Sequence, residues 1–75
     1  RRGLRERLAF YLVRHADAGG RVAGGLTRQA LADHLGVSRA SMTRELGRMA
    51  DEGLIAISGR RFAILDAAEL RRLAE

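Results

Sequence analysis

Residues 26–55 read LTRQALADHLGVSRASMTRELGRMADEGLI and carry the signals of two short helices joined by a tight turn. Thr27 can cap the first helix, because its hydroxyl can accept a hydrogen bond from an unpaired backbone amide of the first turn. Gly36 stands where that helix must end in a left-handed conformation, and Ser38 is a new N-cap two residues later. This spacing predicts a helix-turn-helix over residues 27–52.

The second of these helices, predicted over residues 39–52, has two chemically different faces. Met42, Leu46 and Met49 recur at three- and four-residue spacing and form an apolar stripe that is expected to face inward. The residues on the opposite side are small or polar, namely Ala40, Thr43, Arg44 and Gly47. An ordinary helical hairpin within a core is the alternative interpretation, but it does not explain the polar outward face.

The remaining segments predict two more helices and a hairpin. Residues 4–15 have the apolar spacing of an amphipathic helix, and the glycine-rich residues 16–25 indicate a loop with at most a short strand at 21–23. Two apolar runs at 54–57 and 62–65 flank a glycine-containing turn and predict a β-hairpin. Asp66 precedes Glu69 at capping spacing and begins the last helix. This order predicts a small α+β domain with a helical core and a short β-hairpin.

Composition limits the classes of function that this chain can have. At 75 residues and 8.2 kDa it can hold one small domain. Fourteen arginines against nine acidic residues give a net charge of +5, the balance expected of a protein that binds a polyanion. With no cysteine and two histidines, and with little room for a substrate cleft, we expect neither an enzyme nor a metal site. The opening Arg-Arg-Gly has no methionine or signal segment, so we expect a piece of a longer cytoplasmic protein.

The chain resembles the C-terminal domain of the cyclic-AMP receptor and fumarate-nitrate regulator (Crp/Fnr) family of bacterial transcription regulators. The resemblance rests on residues 26–55, on the glycine-arginine turn at 58–61 and on ILDAAEL at 64–70, and it covers nearly the whole chain. It implies a winged helix-turn-helix domain with a wing at 54–65, whose helix at 39–52 enters the major groove of double-stranded DNA. It further implies a homodimer formed through a segment outside this sequence, no cofactor in this domain and an effector bound elsewhere in the protein. The resemblance leaves open whether the protein also contacts RNA polymerase.

The resemblance assigns base reading to the outward face of the 39–52 helix. Arg39 and Arg44 each carry paired donors that can bind O6 and N7 of guanine. Many relatives have a glutamate at the position of Ala40, which accepts a hydrogen bond from cytosine, so the usual operator is not expected to apply here. Thr43 completes this base-reading set. The alternative is that either arginine contacts only phosphate or solvent.

A second set of side chains is expected to bind the DNA backbone. They lie at the start of the first helix of the pair, around its turn, on the second helix and at the hairpin tip, where phosphates flank the groove. The set comprises Thr27, Arg28, Gln29, Ser38, Ser41, Arg48, Arg60 and Arg61. Capping alone is the alternative for Ser38, and solvation is the alternative for each surface arginine.

Other binding roles are less consistent with the sequence. A winged helix can serve protein contact alone, but its outward face here has no aromatic anchor of the kind found in protein hot spots. RNA or a membrane surface would also attract the positive charge, yet Phe10, Tyr11 and Phe62 are expected in the core and no basic amphipathic stripe is present. His15 and His34 are explained as helix-end or surface residues without a metal partner. The sequence therefore favours sequence-specific binding of duplex DNA.

Overall fold

The computed structural model describes residues 2–75, which form four helices and three strands. In chain order these are α1 (Leu4–His15), β1 (Arg21–Val22), α2 (Arg28–Leu35), α3 (Arg39–Asp51), β2 (Ile55–Ser58), β3 (Arg61–Ile64) and α4 (Ala67–Ala74). The strands make one antiparallel sheet in the order β1-β3-β2. This arrangement confirms the predicted α+β class. The short extended stretch predicted after α1 is β1, which adds a strand to the two of the hairpin.

The capping signals of the helix-turn-helix act as the sequence predicts. The Thr27 hydroxyl accepts a hydrogen bond from the Ala30 amide at 3.1 Å, and the Ser38 hydroxyl accepts one from the Ser41 amide at 3.0 Å. Gly36 ends α2 with φ +70°, in the left-handed region that favours glycine. The turn between α2 and α3 is therefore fixed by local hydrogen bonds and by one backbone conformation.

The wing differs by one residue from the prediction at each strand. The strands cover 55–58 and 61–64, because the turn between them holds only Gly59 and Arg60. Gly59 has φ +61° and Arg60 does not have a positive φ, which is the pattern of a type II′ turn. Such a turn matches the twist of the two strands. Arg61 consequently lies on β3, opposite Ser58, and not in the turn.

The core lies between the helices and the inner face of the sheet. Its buried side chains are Leu8, Ala9, Leu12, Val22, Leu31, Ala32, Met42, Leu46, Met49, Leu54, Ile55, Phe62 and Leu70. The expectation that all three aromatic residues are core is wrong for Phe10, which is 45% exposed. Phe10 lies on the side of α1 away from Leu8 and Leu12, where the guanidinium groups of Arg2 and Arg14 flank its ring at 5.5 and 6.0 Å.

A cluster of ion pairs joins α1 to α3. Arg5 donates to both carboxylate oxygens of Glu52 at 2.7 Å, and its Nε donates to Glu45 at 2.6 Å. Glu52 is the C-cap that ends α3 at Asp51, one residue before the predicted end. The hydrogen bonds from Arg5 lower the pKa of Glu52 below its ordinary value, and Glu52 and Glu45 raise the pKa of Arg5. Bidentate geometry of this kind fixes orientation as well as proximity.

Replacing Leu46 by alanine is expected to destabilise the domain by about 2–5 kcal/mol, because the deletion leaves a cavity in the core. Leu46 is 1% exposed, whereas Leu65 is 61% exposed, so Leu65→Ala is a control with the same chemical change. The control is expected to alter the free energy of unfolding by less than about 0.5 kcal/mol. Urea denaturation followed by circular dichroism measures both variants. Equal losses would contradict the assignment of Leu46 to the core.

The ion pair of Glu52 predicts a dependence of stability on pH. Because the pKa of Glu52 is lowered by folding, the pair stabilises the domain above the ordinary value of 4.5, and this contribution is lost as the pH falls through the lowered pKa. Glu52→Gln should therefore have a lower melting temperature at neutral pH and a shallower decline in acid than the wild type. Thermal melts between pH 7 and the acid limit measure this. Asp51→Asn is the control, and an acid decline as steep in Glu52→Gln as in the control would refute the linkage.

Candidate nucleic-acid interface

The structure brings the four predicted base-reading residues to one face of α3. Arg39, Ala40, Thr43 and Arg44 are all exposed. The opposite face of the helix holds the buried stripe that includes Met42, so packing sets which side of α3 points outward. An exposed helix face with two arginines five residues apart, about 7.5 Å along the helix axis, has the dimensions and the donors needed to enter a major groove.

Two serines lie beside this face and are engaged with each other. Ser38 accepts from the Ser41 amide as the N-cap of α3, and its hydroxyl donates to the Ser41 hydroxyl at 2.9 Å. A guanidinium nitrogen of Arg44 lies 3.4 Å from the Ser41 hydroxyl, at the weak end of hydrogen-bond geometry. Ser38 therefore has the capping role, and Arg44 is only loosely held.

The predicted backbone-binding residues at the start of α2 also make contacts within the domain. Thr27 caps the helix, and Gln29 donates to the Asp33 carboxylate at 2.9 Å. Arg28 lies against the wing, where its Nη2 donates to the Gly59 carbonyl at 2.7 Å. These contacts hold three neighbouring polar side chains at the N-terminus of a helix, where the helix dipole favours an anion.

The remaining arginines of the predicted backbone set fall into two kinds. Arg48 forms an ion pair with Glu45 at 2.8 Å, and Glu45 is shared with Arg5. Arg60 and Arg61 are exposed, one in the wing turn and the other on β3. The arginines of the predicted backbone set thus lie on α2, on α3 and in the wing, and the one on α2, Arg28, contacts the wing turn.

Sequence reasoning missed two contacts that shape this interface. The bond from Arg28 to Gly59 joins residues 31 positions apart, and the bond from Arg5 to Glu45 joins residues 40 positions apart. Residues so far apart in the chain give no local sequence pattern from which such a pair could be predicted. The ion pair of Glu45 with Arg48 follows helical spacing, and that spacing alone could have revealed it.

Within residues 2–75, no group of three histidine or carboxylate side chains could hold a metal ion. In the same part of the chain, none of the helices has the length and apolar character required to cross a membrane.

Comparison with known proteins identifies the family of the chain. A family model described as a Crp-like helix-turn-helix domain matches residues 6–73. Among solved structures, the transcriptional regulator TTHB099 of the CRP family from Thermus thermophilus is 34% identical, with a TM-score of 0.79 over 96% of this chain and 40% of that one. DNR from Pseudomonas aeruginosa is 30% identical, with a TM-score of 0.82 over 93% of this chain and 33% of that one.

A third structure shares the fold at lower identity. FixK2 from Bradyrhizobium japonicum is 24% identical, with a TM-score of 0.84 over 100% of this chain and 40% of that one. A search of curated protein sequences finds no significant match. The chain thus spans 33–40% of the length of these three structures. Since the family model covers residues 6–73, the chain belongs to the family of Crp-like helix-turn-helix domains.

Proposed function

We propose that this domain binds double-stranded DNA with sequence specificity as part of a transcription regulator. Its family supports DNA-binding transcription regulation, and the geometry supports the finer interpretation. The observation that carries the proposal is the exposed face of α3 with Arg39 and Arg44, which is set by the burial of the opposite face. In this proposal α3 lies in the major groove.

Within the groove, the side chains of α3 have distinct roles. Arg39 and Arg44 bind the O6 and N7 atoms of guanines through paired N–H donors. Ala40 contacts a thymine methyl group or lets the backbone come close, and Thr43 reaches a neighbouring base edge. A Cβ at Gly47, further along the outward side, would meet no atom within 4 Å apart from its chain neighbours and the nearby backbone of its own helix. Packing within the domain therefore gives no reason for the glycine.

The backbone contacts come from three places around α3. Thr27 and Gln29 bind a phosphate together with the unpaired amides at the start of α2. Ser38 and Ser41 flank the start of α3, and Arg48 contributes by exchanging its ion pair with Glu45 for a phosphate. Arg60 and Arg61 reach a phosphate beside the groove from the wing. Each neutralised phosphate adds to affinity and to its dependence on salt.

The rest of the regulator follows from the family in the same proposal. Two copies pair through a segment outside these 75 residues and place their α3 helices about one helical turn of DNA apart, roughly 34–36 Å. An effector binds another part of the protein, and this domain needs no cofactor of its own. A contact with RNA polymerase belongs to the assembled regulator.

The roles of the arginines predict two patterns of loss. Arg39→Ala and Arg44→Ala should each weaken binding to a selected duplex by about 1–3 kcal/mol and relax the preference at one position. Arg61→Ala should weaken all duplexes alike and reduce the slope of log affinity against log salt by about one. Fluorescence anisotropy with a duplex selected by the wild type and a random duplex, titrated across salt, measures both effects.

Arg71→Ala is the matched control, because it removes the same charge from the exposed surface of α4. It should preserve the ratio of the two affinities and the salt slope. Equal losses for every variant on both duplexes would disprove the assignment of roles. Failure of the wild type to bind at low ionic strength would rule out DNA binding itself and favour the alternative that the winged helix serves protein contact.

A further inference from the structure

Arg28 is committed to the wing by two contacts of different kinds. Its Nη2 donates to the carbonyl of Gly59, the first residue of the wing turn, at 2.7 Å. Its guanidinium carbon lies 4.6 Å from the ring centroid of Phe62, within the range of a cation–π contact. Phe62 is 6% exposed, so the ring on which Arg28 rests is fixed in the core. One side chain of α2 thus spans both the turn and the second strand of the wing.

The wing turn is confined from another direction by the loop that precedes α2. A Cβ at Gly24 would lie 2.9 Å from the Cβ of Arg60 and 3.0 Å from its carbonyl oxygen. The chain at Gly24 therefore runs against the backbone of Arg60 at a distance that only glycine allows. With Arg28 bonded to Gly59, the two turn residues are each held by a different part of the chain.

The position of Arg28 is electrostatically unfavourable. Burial lowers its pKa below the ordinary value, and the positive charge of Arg39 lowers it further. A guanidinium placed partly out of water and near a second cation needs contacts that offset both effects. The carbonyl of Gly59 and the face of the Phe62 ring supply them. These contacts favour a role for Arg28 in holding the wing over a role in binding phosphate directly.

We propose that Arg28 is a positioning residue, which holds the wing turn against the start of α2 and so fixes the distance between Arg60 and the base-reading arginines of α3. For its consequence in DNA binding, this inference rests on the proposed function. Lysine cannot replace arginine here, because a compact ammonium has no planar face to lie on a ring while directing a separate N–H to a carbonyl. If the side chain at position 28 instead bound a phosphate, lysine would keep most of its contribution to DNA affinity.

The test is a double-mutant cycle between Arg28→Lys and Arg60→Ala, measured by fluorescence anisotropy on the selected duplex. In the wild-type background Arg60→Ala should weaken binding about tenfold, the range expected for loss of one charged contact to phosphate. In the Arg28→Lys background it should weaken binding only about twofold, since Arg60 is no longer held in place. Arg28→Lys alone should lose nearly as much affinity as Arg28→Ala.

A second readout needs no DNA. Amide hydrogen exchange of Arg60 and Arg61, followed by NMR, should become several-fold faster in Arg28→Lys, because the turn opens more often. Arg21→Lys is the matched control on the exposed surface of β1 and should leave these rates unchanged. Thermal melts establish that each variant is folded at the temperature of measurement.

The outcomes separate this inference from the proposed function. Wild-type affinity and wild-type exchange rates in Arg28→Lys would overturn it, and so would additive effects in the cycle, because Arg28 would then act only as a point charge. If the wild type fails to bind DNA at low salt while Arg28→Lys still speeds exchange in the wing, the proposed function falls and the wing contact remains supported.

Discussion

The rotation of α3 about its own axis depends on the burial of three side chains. Met42, Leu46 and Met49 are each at most 1% exposed, and together they form the side of α3 that faces the core. A rotation that carried Arg44 inward would bury a guanidinium and expose two thioethers, and both changes cost free energy. The outward face is therefore selected by apolar packing. Ion pairs add to this packing. Arg5 of α1 binds Glu45 of α3 and Glu52, the C-cap of α3.

Ion pairs within the domain engage some of the arginines that give the chain its net charge of +5. Carboxylates bind arginines on α1, α3 and α4, and the pairs are Arg5 with Glu45 and Glu52, Arg48 with Glu45, and Arg72 with Glu69. An arginine already bound to a carboxylate adds little to the field felt by a phosphate. The exposed arginines Arg39, Arg44, Arg60 and Arg61 stand outside these pairs. These four charges therefore remain available to a phosphate, as do those of exposed arginines outside the candidate interface, such as Arg14 on α1 and Arg71 on α4.

The elements that could be predicted from sequence are those with local signals. The caps formed by Thr27 and Ser38 each accept from an amide three residues ahead, so a few consecutive positions suffice to recognise them. The wing strands were displaced by one residue, because a short apolar run does not show where pairing begins. The exposure of Phe10 was missed although the helical spacing of α1 already places this residue on the side away from Leu8 and Leu12. The sequence predicts a set of residues for the candidate site, which stays a prediction, and it does not predict their contacts, because the bond from Arg28 to Gly59 depends on how the wing folds back over α2.

The residue at position 40 links the sequence pattern with the contacts. Glutamate in many relatives would stand four residues before Arg44 on the same helical face, at the spacing where a carboxylate and a guanidinium attract each other. In this chain residue 40 is alanine, and the side-chain contact of Arg44 is the one with the Ser41 hydroxyl at 3.4 Å. A loosely held arginine loses more rotamer freedom when it binds a base than one that is already oriented. In the proposed complex, residue 40 therefore affects the base pair that it contacts. It also affects the entropy that Arg44 loses on binding its guanine.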